Sequence, residues 1–84
     1  MTLLSDDYVL DTIAAAIRSV LHDPGLELGP GTRFDDLAAL DSMSQIAMVA
    51  ETECRLGVTL EVDEIEPLQC VADLVRIVTA KRAG

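Results

Sequence analysis

Aromatic side chains are almost absent from this sequence. Its 84 residues include no tryptophan, one tyrosine (Tyr8) and one phenylalanine (Phe34), although half of the residues are hydrophobic. Any core must therefore be built from aliphatic side chains and methionine, which adapt their packing more readily than large rigid rings. Because a chain of this length can enclose only one small core, we expect a single domain over residues 1–84, with its helical part spanning about residues 5–80.

Basic residues are also scarce. Six lysines and arginines face 15 aspartates and glutamates, which leaves a formal net charge of −9. This balance argues against a nucleic-acid partner, because nucleic-acid binding requires basic patches. It favours a soluble monomer that is attracted to basic surfaces on its partners. The simpler alternative is that the acidity serves solubility alone.

Long hydrophobic runs and cysteine motifs are missing as well. No stretch approaches the roughly 18–20 consecutive apolar residues of a membrane span, and the first residues lack the basic flank and apolar run of a signal peptide. We therefore expect a cytoplasmic protein that binds no membrane. Cys54 and Cys70 have neither metal-binding nor redox spacing, so we expect no metal site and two free thiols acting as small hydrophobic side chains.

The usual signatures of enzymes are not found. The single histidine, His22, is far from Ser42 in sequence, and no Gly-x-Ser-x-Gly elbow surrounds that serine, so nothing nearby could activate its hydroxyl. Phosphate-binding and dinucleotide-binding glycine motifs are absent. The acids of residues 61–66 lack the glycine and ligand order of a calcium loop. We predict no catalytic residue, and we interpret these acids as a solvated helix face or a surface for a basic partner.

Helical periodicity organises the first half of the chain. It predicts a first helix over residues 5–21 with Ser5 as the N-cap. Glycine and proline then exclude a regular element from His22 to Leu40, and so long a loop must be pinned to the core. The expected pins are Leu26, Leu28, Phe34 and Leu37. The residues expected on the buried face of the first helix are Val9, Ile13, Ala16, Ile17, Val20 and Leu21.

Three more helices are expected after the loop. The second spans Ser42–Leu56, begins at the cap Asp41 and ends at Gly57, which suits a left-handed C-cap. A brief third helix covers residues 61–66, and the last lies within residues 68–80. The second helix is expected to bury Ile46, Val49, Ala50 and Cys54, and the last to bury Val71, Leu74, Val75 and Val78. The prediction is an all-α fold, a small four-helix bundle of three main helices and one short helix, with a long loop between the first and second helices.

Asp41-Ser42-Met43 lies where this loop meets the second helix. If Asp41 caps the helix, Ser42 is in the first turn with its hydroxyl outward, where backbone N–H groups and the helix dipole favour an anion such as a phosphate ester. The tripeptide is preceded by Phe34-Asp35-Asp36-Leu37 and followed by an apolar helix. In this context it resembles the Asp-Ser-Leu/Met motif of acyl carrier proteins, and similar features extend over residues 3–78.

The resemblance implies a non-catalytic carrier domain. It implies that a phosphopantetheinyl transferase moves 4′-phosphopantetheine from coenzyme A to Ser42 and leaves 3′,5′-ADP, and that the thiol of this arm holds an acyl group as a thioester. Loading enzymes for acyl or aminoacyl groups and chain-modifying synthase enzymes would be the other partners. Asp41 fills the position that orients the serine and assists transferase recognition, and Met43 fills an apolar position that contacts partners.

Two departures from the family pattern are informative. Cys70 stands where a threonine or serine usually caps the last helix, so we expect that helix to start less firmly, by ~1 kcal/mol. The second helix has Ser44, Gln45, Ala47 and Met48 where fatty-acid-synthase carriers usually have acids.

We infer partner recognition with more apolar character around Met43, Ala47 and Met48, with Glu53 and Glu64 as charged docking residues. Simple core packing is the alternative for Met48. This pattern points to a polyketide or another specialised pathway rather than to housekeeping fatty-acid synthesis.

Two other functions remain open. A discrete peptidyl or aminoacyl carrier of a nonribosomal pathway would use the same arm and fold. Leu40-Asp41-Ser42 favours the acyl type, because peptidyl carriers more often have a glycine pair before the serine, whereas the sparse acids of the second helix favour the peptidyl type. A helical interaction module whose Ser42 is never modified is the alternative from a different class.

Overall fold

The computed structural model describes residues 6–37 and 39–83, with side chains from 8 to 82, and confirms the all-α prediction. The helices are α1 (Asp6–Leu21), α2 (Ser42–Leu56), α3 (Val62–Ile65) and α4 (Val71–Ala83). The long loop contains one 3-10 turn, Phe34–Asp36. The last helix extends three residues beyond the predicted limit of residue 80. The predicted N-cap Ser5 lies outside the described residues.

Helix α1 packs against both α2 and α4. At one end of the bundle, the Arg82 guanidinium near the end of α4 donates to the Leu56 carbonyl at the end of α2 (2.8 Å). The same guanidinium lies 5.7 Å above the ring of Tyr8, at the start of α1. The start of α1 therefore meets the ends of α2 and α4, and these two helices run antiparallel to it.

The core is aliphatic, as the composition requires. Phe34 is the one aromatic residue within it, and Thr52 is the buried polar residue of the described chain. The hydroxyl of Thr52 donates to the Met48 carbonyl one turn earlier (2.9 Å), so it is not left unsatisfied. The core comprises Val9, Ile13, Ile17, Phe34, Met48, Val49, Leu56, Leu60, Leu68, Val71, Leu74, Val75 and Val78.

The buried face of α2 differs from the prediction. Ile46, Ala50 and Cys54 were expected to point inward, but all three are exposed. The buried residues are Met48, Val49, Thr52 and Leu56. The helix carries two apolar rows at helical spacing, and periodicity alone does not say which row meets α1. The inward row contains Met48, Val49 and Leu56, and their burial removes apolar surface from water.

The long loop is pinned as predicted. Phe34 is buried, and Leu26, Leu28 and Leu37 pack half-buried against the core. The loop backbone is held as well, because the Arg18 Nε donates to the Leu26 carbonyl (2.7 Å).

The loop also compensates for the poor cap at the start of α4. The Val71 N–H donates to the Thr32 carbonyl (2.9 Å), and the Ala72 N–H donates to the Pro30 carbonyl (2.8 Å). The Asp73 carboxylate accepts from the Cys70 N–H (3.3 Å). These acceptors replace the missing side-chain cap, so the weaker helix start expected from Cys70 is offset by contacts that the sequence pattern did not reveal.

Two adjacent cations at the end of α4 hold other helices. Lys81 and Arg82 both bind residues outside their own helix. The Lys81 ammonium pairs with the Glu64 carboxylate of α3 (2.9 Å). Arg82 binds the terminal carbonyl of α2 at Leu56 and covers Tyr8 of α1. The end of α4 thus fastens the other three helices.

We expect Arg82→Ala to lower the free energy of unfolding by about 1–2 kcal/mol, because the charged hydrogen bond and the contact with the Tyr8 ring are both lost. The expected loss of stability is limited, because the buried Nε of Arg82 has no hydrogen-bond partner in the described chain. That unsatisfied group already offsets part of the stability that Arg82 contributes. Urea denaturation followed by circular dichroism measures the change. Arg33→Ala is the matched control, since that exposed side chain makes no hydrogen bond or ion pair in the described residues, and it should shift stability by less than about 0.5 kcal/mol.

The end of α1 gives a second stability prediction. His22 adopts a left-handed conformation (φ 56°). The Asp23 N–H donates to the Arg18 carbonyl (3.0 Å) and the His22 N–H to the Ser19 carbonyl (3.3 Å), the pattern in which glycine normally occupies the position of His22. We expect His22→Gly to raise the free energy of unfolding by about 0.5–1 kcal/mol, because relief of the strained backbone outweighs the added flexibility of the unfolded chain.

The control is the opposite substitution, glycine to a larger residue, at the equivalent position at the end of α2. Gly57 has φ 66°, and the space that an alanine methyl group would fill is open, so Gly57→Ala adds backbone strain without a clash. It should cost about 1 kcal/mol. Equal effects of the two substitutions would contradict the assignment of His22 as a strained helix end.

Candidate functional site

Ser42 is the first residue of α2 and is exposed to solvent. The preceding residue, Asp41, is extended (φ −82°, ψ −175°) and acts as the N-cap, as predicted. Its Oδ1 accepts the Ser44 backbone N–H at 2.8 Å. Within the described part of the chain, the Ser42 hydroxyl has no hydrogen-bond partner. The cap therefore fixes the backbone around Ser42 while its hydroxyl stays available.

The charge at this site is well defined. Hydrogen bonds from Ser44, chiefly from its backbone N–H, lower the pKa of Asp41 below its ordinary value. The cap is thus ionised at neutral pH and accepts strongly from the helix N-terminus. The first turn of α2 contains no other acid. A single negative group attached to Ser42 would consequently meet the positive end of a 15-residue helix with one carboxylate beside it.

The loop before the site is attached to the core by leucine side chains. Leu40 and Leu37 pack against the core, and the Leu40 N–H donates to the Leu37 carbonyl (2.9 Å). The Gln45 N–H donates to the Asp41 carbonyl (2.8 Å), which closes the first turn of α2. These contacts hold the serine at a fixed place on the surface. A group that another protein recognises needs such a fixed position.

The residues predicted to contact partners fall into different places. Met43 is 78% exposed, and Ala47 is exposed on the same side of α2. Met48 is fully buried, so the structure shows core packing, the alternative to its expected docking role. It lies one position beyond Ala47, a rotation of about 100° around the helix, which turns it toward α1.

Glu53 and Glu64 also have structural contacts. The Glu53 carboxylate accepts the Leu60 N–H (2.7 Å) and so supports the chain reversal after α2. The Glu64 carboxylate accepts the Glu61 N–H (2.8 Å) within the capping box of α3 and pairs with Lys81. The hydrogen bond from Glu61, followed by the Lys81 contact, lowers the pKa of Glu64. Both carboxylates therefore help to stabilise the fold.

Sequence reasoning missed two exposed residues next to the site. Ile46 is 66% exposed and Ala50 is exposed, and both lie on the side of α2 that also presents Met43 and Ala47. They were assigned to the core because they recur at helical spacing. The sequence contains a second row at the same helical spacing, Met48, Thr52 and Leu56, and this row forms the buried face. Its presence was the available sign that Ile46 and Ala50 could be exposed.

The chain offers Ser42 little help for catalysis. His22 lies at the far end of the loop, beyond the end of α1, and is exposed. Among the described residues, no group of three or more histidine, cysteine, aspartate or glutamate side chains is placed to hold a metal ion. Within the same residues, no helix has the length and apolar character needed to cross a bilayer.

A helical bundle that presents a capped, exposed serine at a helix N-terminus suits covalent attachment of a phosphorylated group. Comparison with known proteins agrees, since residues 11–78 match the family described as "Phosphopantetheine attachment site". The chain is 32% identical over 72 residues to the acyl carrier protein of Acidothermus cellulolyticus, covering 86% of each chain. It is 26% identical over 74 residues to the acyl carrier protein of Thermobifida fusca, covering 88% of this chain and 94% of that one.

The chain therefore belongs to the acyl carrier protein family, whose cofactor is a covalently bound 4′-phosphopantetheine group. Proteins of this family carry their cargo and do not catalyse its conversion. The exposed hydroxyl, the helix N-terminus and the absence of other acids in the first turn of α2 fit that group.

The cap yields a prediction with a defined sign. Because its pKa is lowered in the folded state, ionised Asp41 stabilises the protein above its ordinary pKa, and this contribution is lost as the pH falls from about 4 through the folded-state value. Asp41→Ala should lower Tm by a few degrees at neutral pH, whereas Asp41→Asn should keep most of the cap and flatten the decline of Tm in acid. Thermal unfolding by circular dichroism between about pH 2 and 7 measures both effects.

Asp35→Asn is the control, because the exposed Asp35 side chain makes no hydrogen bond or ion pair in the described residues. That variant should retain the acid dependence of the parent protein. A full acid decline in Asp41→Asn would show that the cap does not contribute as its hydrogen bond indicates.

Proposed function

We propose that this protein carries acyl groups as thioesters on a 4′-phosphopantetheine arm attached to Ser42, in a polyketide or other specialised biosynthetic pathway. The observation that carries the proposal is the exposed Ser42 hydroxyl, which makes no hydrogen bond within the described chain, on the first residue of the capped helix α2. Membership of the acyl carrier protein family supports it, because the matched region includes this serine.

The protein's own residues contribute position and electrostatics. Asp41 fixes the first turn of α2, so that Ser42 is presented to a phosphopantetheinyl transferase in one backbone conformation. The N-terminus of α2 favours the phosphate that joins the arm to the serine. When bound, the arm supplies a thiol that holds the cargo and raises its effective concentration at each partner enzyme.

The pathway is inferred from the charge of α2. The absence of acids in its first turn distinguishes this chain from the fatty-acid-synthase pattern and supports a specialised pathway. The same observation favours the second candidate, a discrete peptidyl or aminoacyl carrier. The two candidates differ in the enzyme that charges the modified protein, an acyl-loading enzyme in the first case and an amino-acid-adenylating enzyme in the second.

The partners are assigned to the surface beside Ser42. We assign contacts with the transferase and with loading and chain-modifying synthase enzymes to Met43 and Ala47, which are exposed next to the serine. Glu53 and Glu64 add negative charge farther along, although each also binds within the fold. The expectation of a cytoplasmic monomer with one domain over residues 1–84 belongs to the same proposal.

Intact-mass measurement tests the attachment. After incubation with coenzyme A and a broad-specificity phosphopantetheinyl transferase, the protein should gain the mass of one phosphopantetheine group. Ser42→Ala should gain nothing, because the accepting hydroxyl is removed. Ser44→Ala is the matched control and should still be modified, since Asp41 binds the Ser44 backbone N–H, which this substitution leaves in place.

The assay also separates this proposal from an unmodified interaction module. An unchanged mass of the parent protein, with the transferase shown to be active on another carrier, would exclude the carrier function. Full modification of Ser42→Ala would keep the function and place the arm elsewhere.

A further inference from the structure

The end of α1 borders a surface cavity that Ser42 does not line. Its volume is about 500 Å³, within the range of small-molecule sites. The cavity is lined by Ala15, Arg18, Ser19, His22 and Pro24. Arg18 is separated from the fully buried Val9 by about 180° around the helix, so the cavity opens on the outer side of α1.

Arg18 brings a positive charge to this cavity that no carboxylate of the described chain pairs with. Its Nε donates to the Leu26 carbonyl (2.7 Å), and this bond holds the guanidinium in place. Its two Nη groups make no hydrogen bond or ion pair within the described residues, although the chain has 15 acids and six bases. Arg18 therefore presents free N–H donors in the geometry that binds carboxylates.

The negative groups near the end of α1 do not line the cavity. Asp23, which follows His22, lines a different cavity of about 220 Å³ beneath the loop. Among the described residues around the first cavity, none is acidic. The Arg18 and Ser19 carbonyls, whose partial negative charge would oppose an anion, already accept the N–H groups of Asp23 (3.0 Å) and His22 (3.3 Å). The cavity thus offers a cation and hydrogen-bond donors within a protein of net charge −9.

His22 contributes a donor at an energetic cost. Its backbone is left-handed (φ 56°), at a helix end where glycine would be free of strain. Non-glycine residues in such conformations cluster at ligand sites, where the side chain has a use that the strain does not outweigh. The imidazole of His22 and the hydroxyl of Ser19 both line the cavity beside Arg18, and each can donate to an oxygen atom.

We propose that this cavity binds a small organic monocarboxylate. The Nη groups of Arg18 bind the carboxylate oxygens, His22 and Ser19 donate to the same group, and Ala15 and Pro24 contact the carbon chain. A singly charged acid is favoured over a phosphate dianion, because Arg18 supplies one fixed positive charge and the net charge of −9 repels a dianion more strongly. This site does not depend on attachment of an arm at Ser42.

Titration of the ¹⁵N-labelled apo protein with sodium butyrate, followed by nuclear magnetic resonance, tests the site. Sodium chloride is replaced by the titrant so that the ionic strength stays constant. The Arg18 Nε–H and His22 imidazole signals should shift along saturable curves, with a dissociation constant of about 1–10 mM. Butanol, which has no charge, should give no saturable shift of these signals. Phosphate should bind at least about fivefold more weakly than butyrate.

Two variants test the assigned residues. Arg18→Met should weaken butyrate binding by more than about tenfold, because the charge-assisted hydrogen bonds are lost. His22→Gly should weaken it by about 3- to 10-fold, because one donor is lost. Since His22→Gly is expected to be more stable than the parent protein, weaker binding in this variant does not reflect unfolding.

Arg33→Ala is the matched control. Arg33 is another exposed arginine without an acidic partner in the described residues, and it lines neither of the two cavities. The dissociation constant of Arg33→Ala should stay within about twofold of the parent value.

Three outcomes would overturn the inference. Shifts that never saturate in the parent protein, or equal dissociation constants for the parent, Arg18→Met and His22→Gly, would remove the site. Tighter binding of phosphate than of butyrate would make the assigned ligand class wrong. Saturable binding of a short acidic peptide without any binding of butyrate would make a protein the occupant of the cavity.

Discussion

The burial of one side of α2 against α1 fixes the rotation of α2 about its axis, and the functional surface depends on that rotation. Met48, Val49 and Leu56 face inward, and their burial removes apolar surface from water. Ser42 then stays exposed at the start of the helix, and a second apolar row faces solvent. The two rows lie on roughly opposite sides of α2, because residues two positions apart, such as Ile46 and Met48, are separated by about 200° around the helix.

Contacts distant in sequence keep this arrangement in place in a core with little aromatic surface. At one end, carbonyls of Pro30 and Thr32 accept the first N–H groups of α4. At the other end, Arg82 joins the end of α2 to the start of α1. These polar contacts complement small aliphatic side chains, because each satisfies a helix terminus that would otherwise lack a partner.

Several carboxylates also stabilise the ends of helices. Asp41 and Asp73 each serve a helix start, and Glu53 and Glu64 support the segments around α3. The first turn of α2 itself contains no acid, so the exposed apolar side of that helix starts without a carboxylate of its own. This arrangement combines a high net negative charge with an uncharged apolar surface that starts beside Ser42.

Local physical chemistry determined much of this protein from its sequence. Helix limits followed from caps and breakers, as at Asp41 and Gly57, and the exposed serine followed from its place in the first turn of α2. Only the tertiary structure decided which apolar row of α2 is buried, that Met48 belongs to the core, and how α4 begins without a capping serine or threonine. Periodicity gives the spacing of a helix face but not its partner, and hydrogen bonds between distant segments leave no local pattern in the sequence.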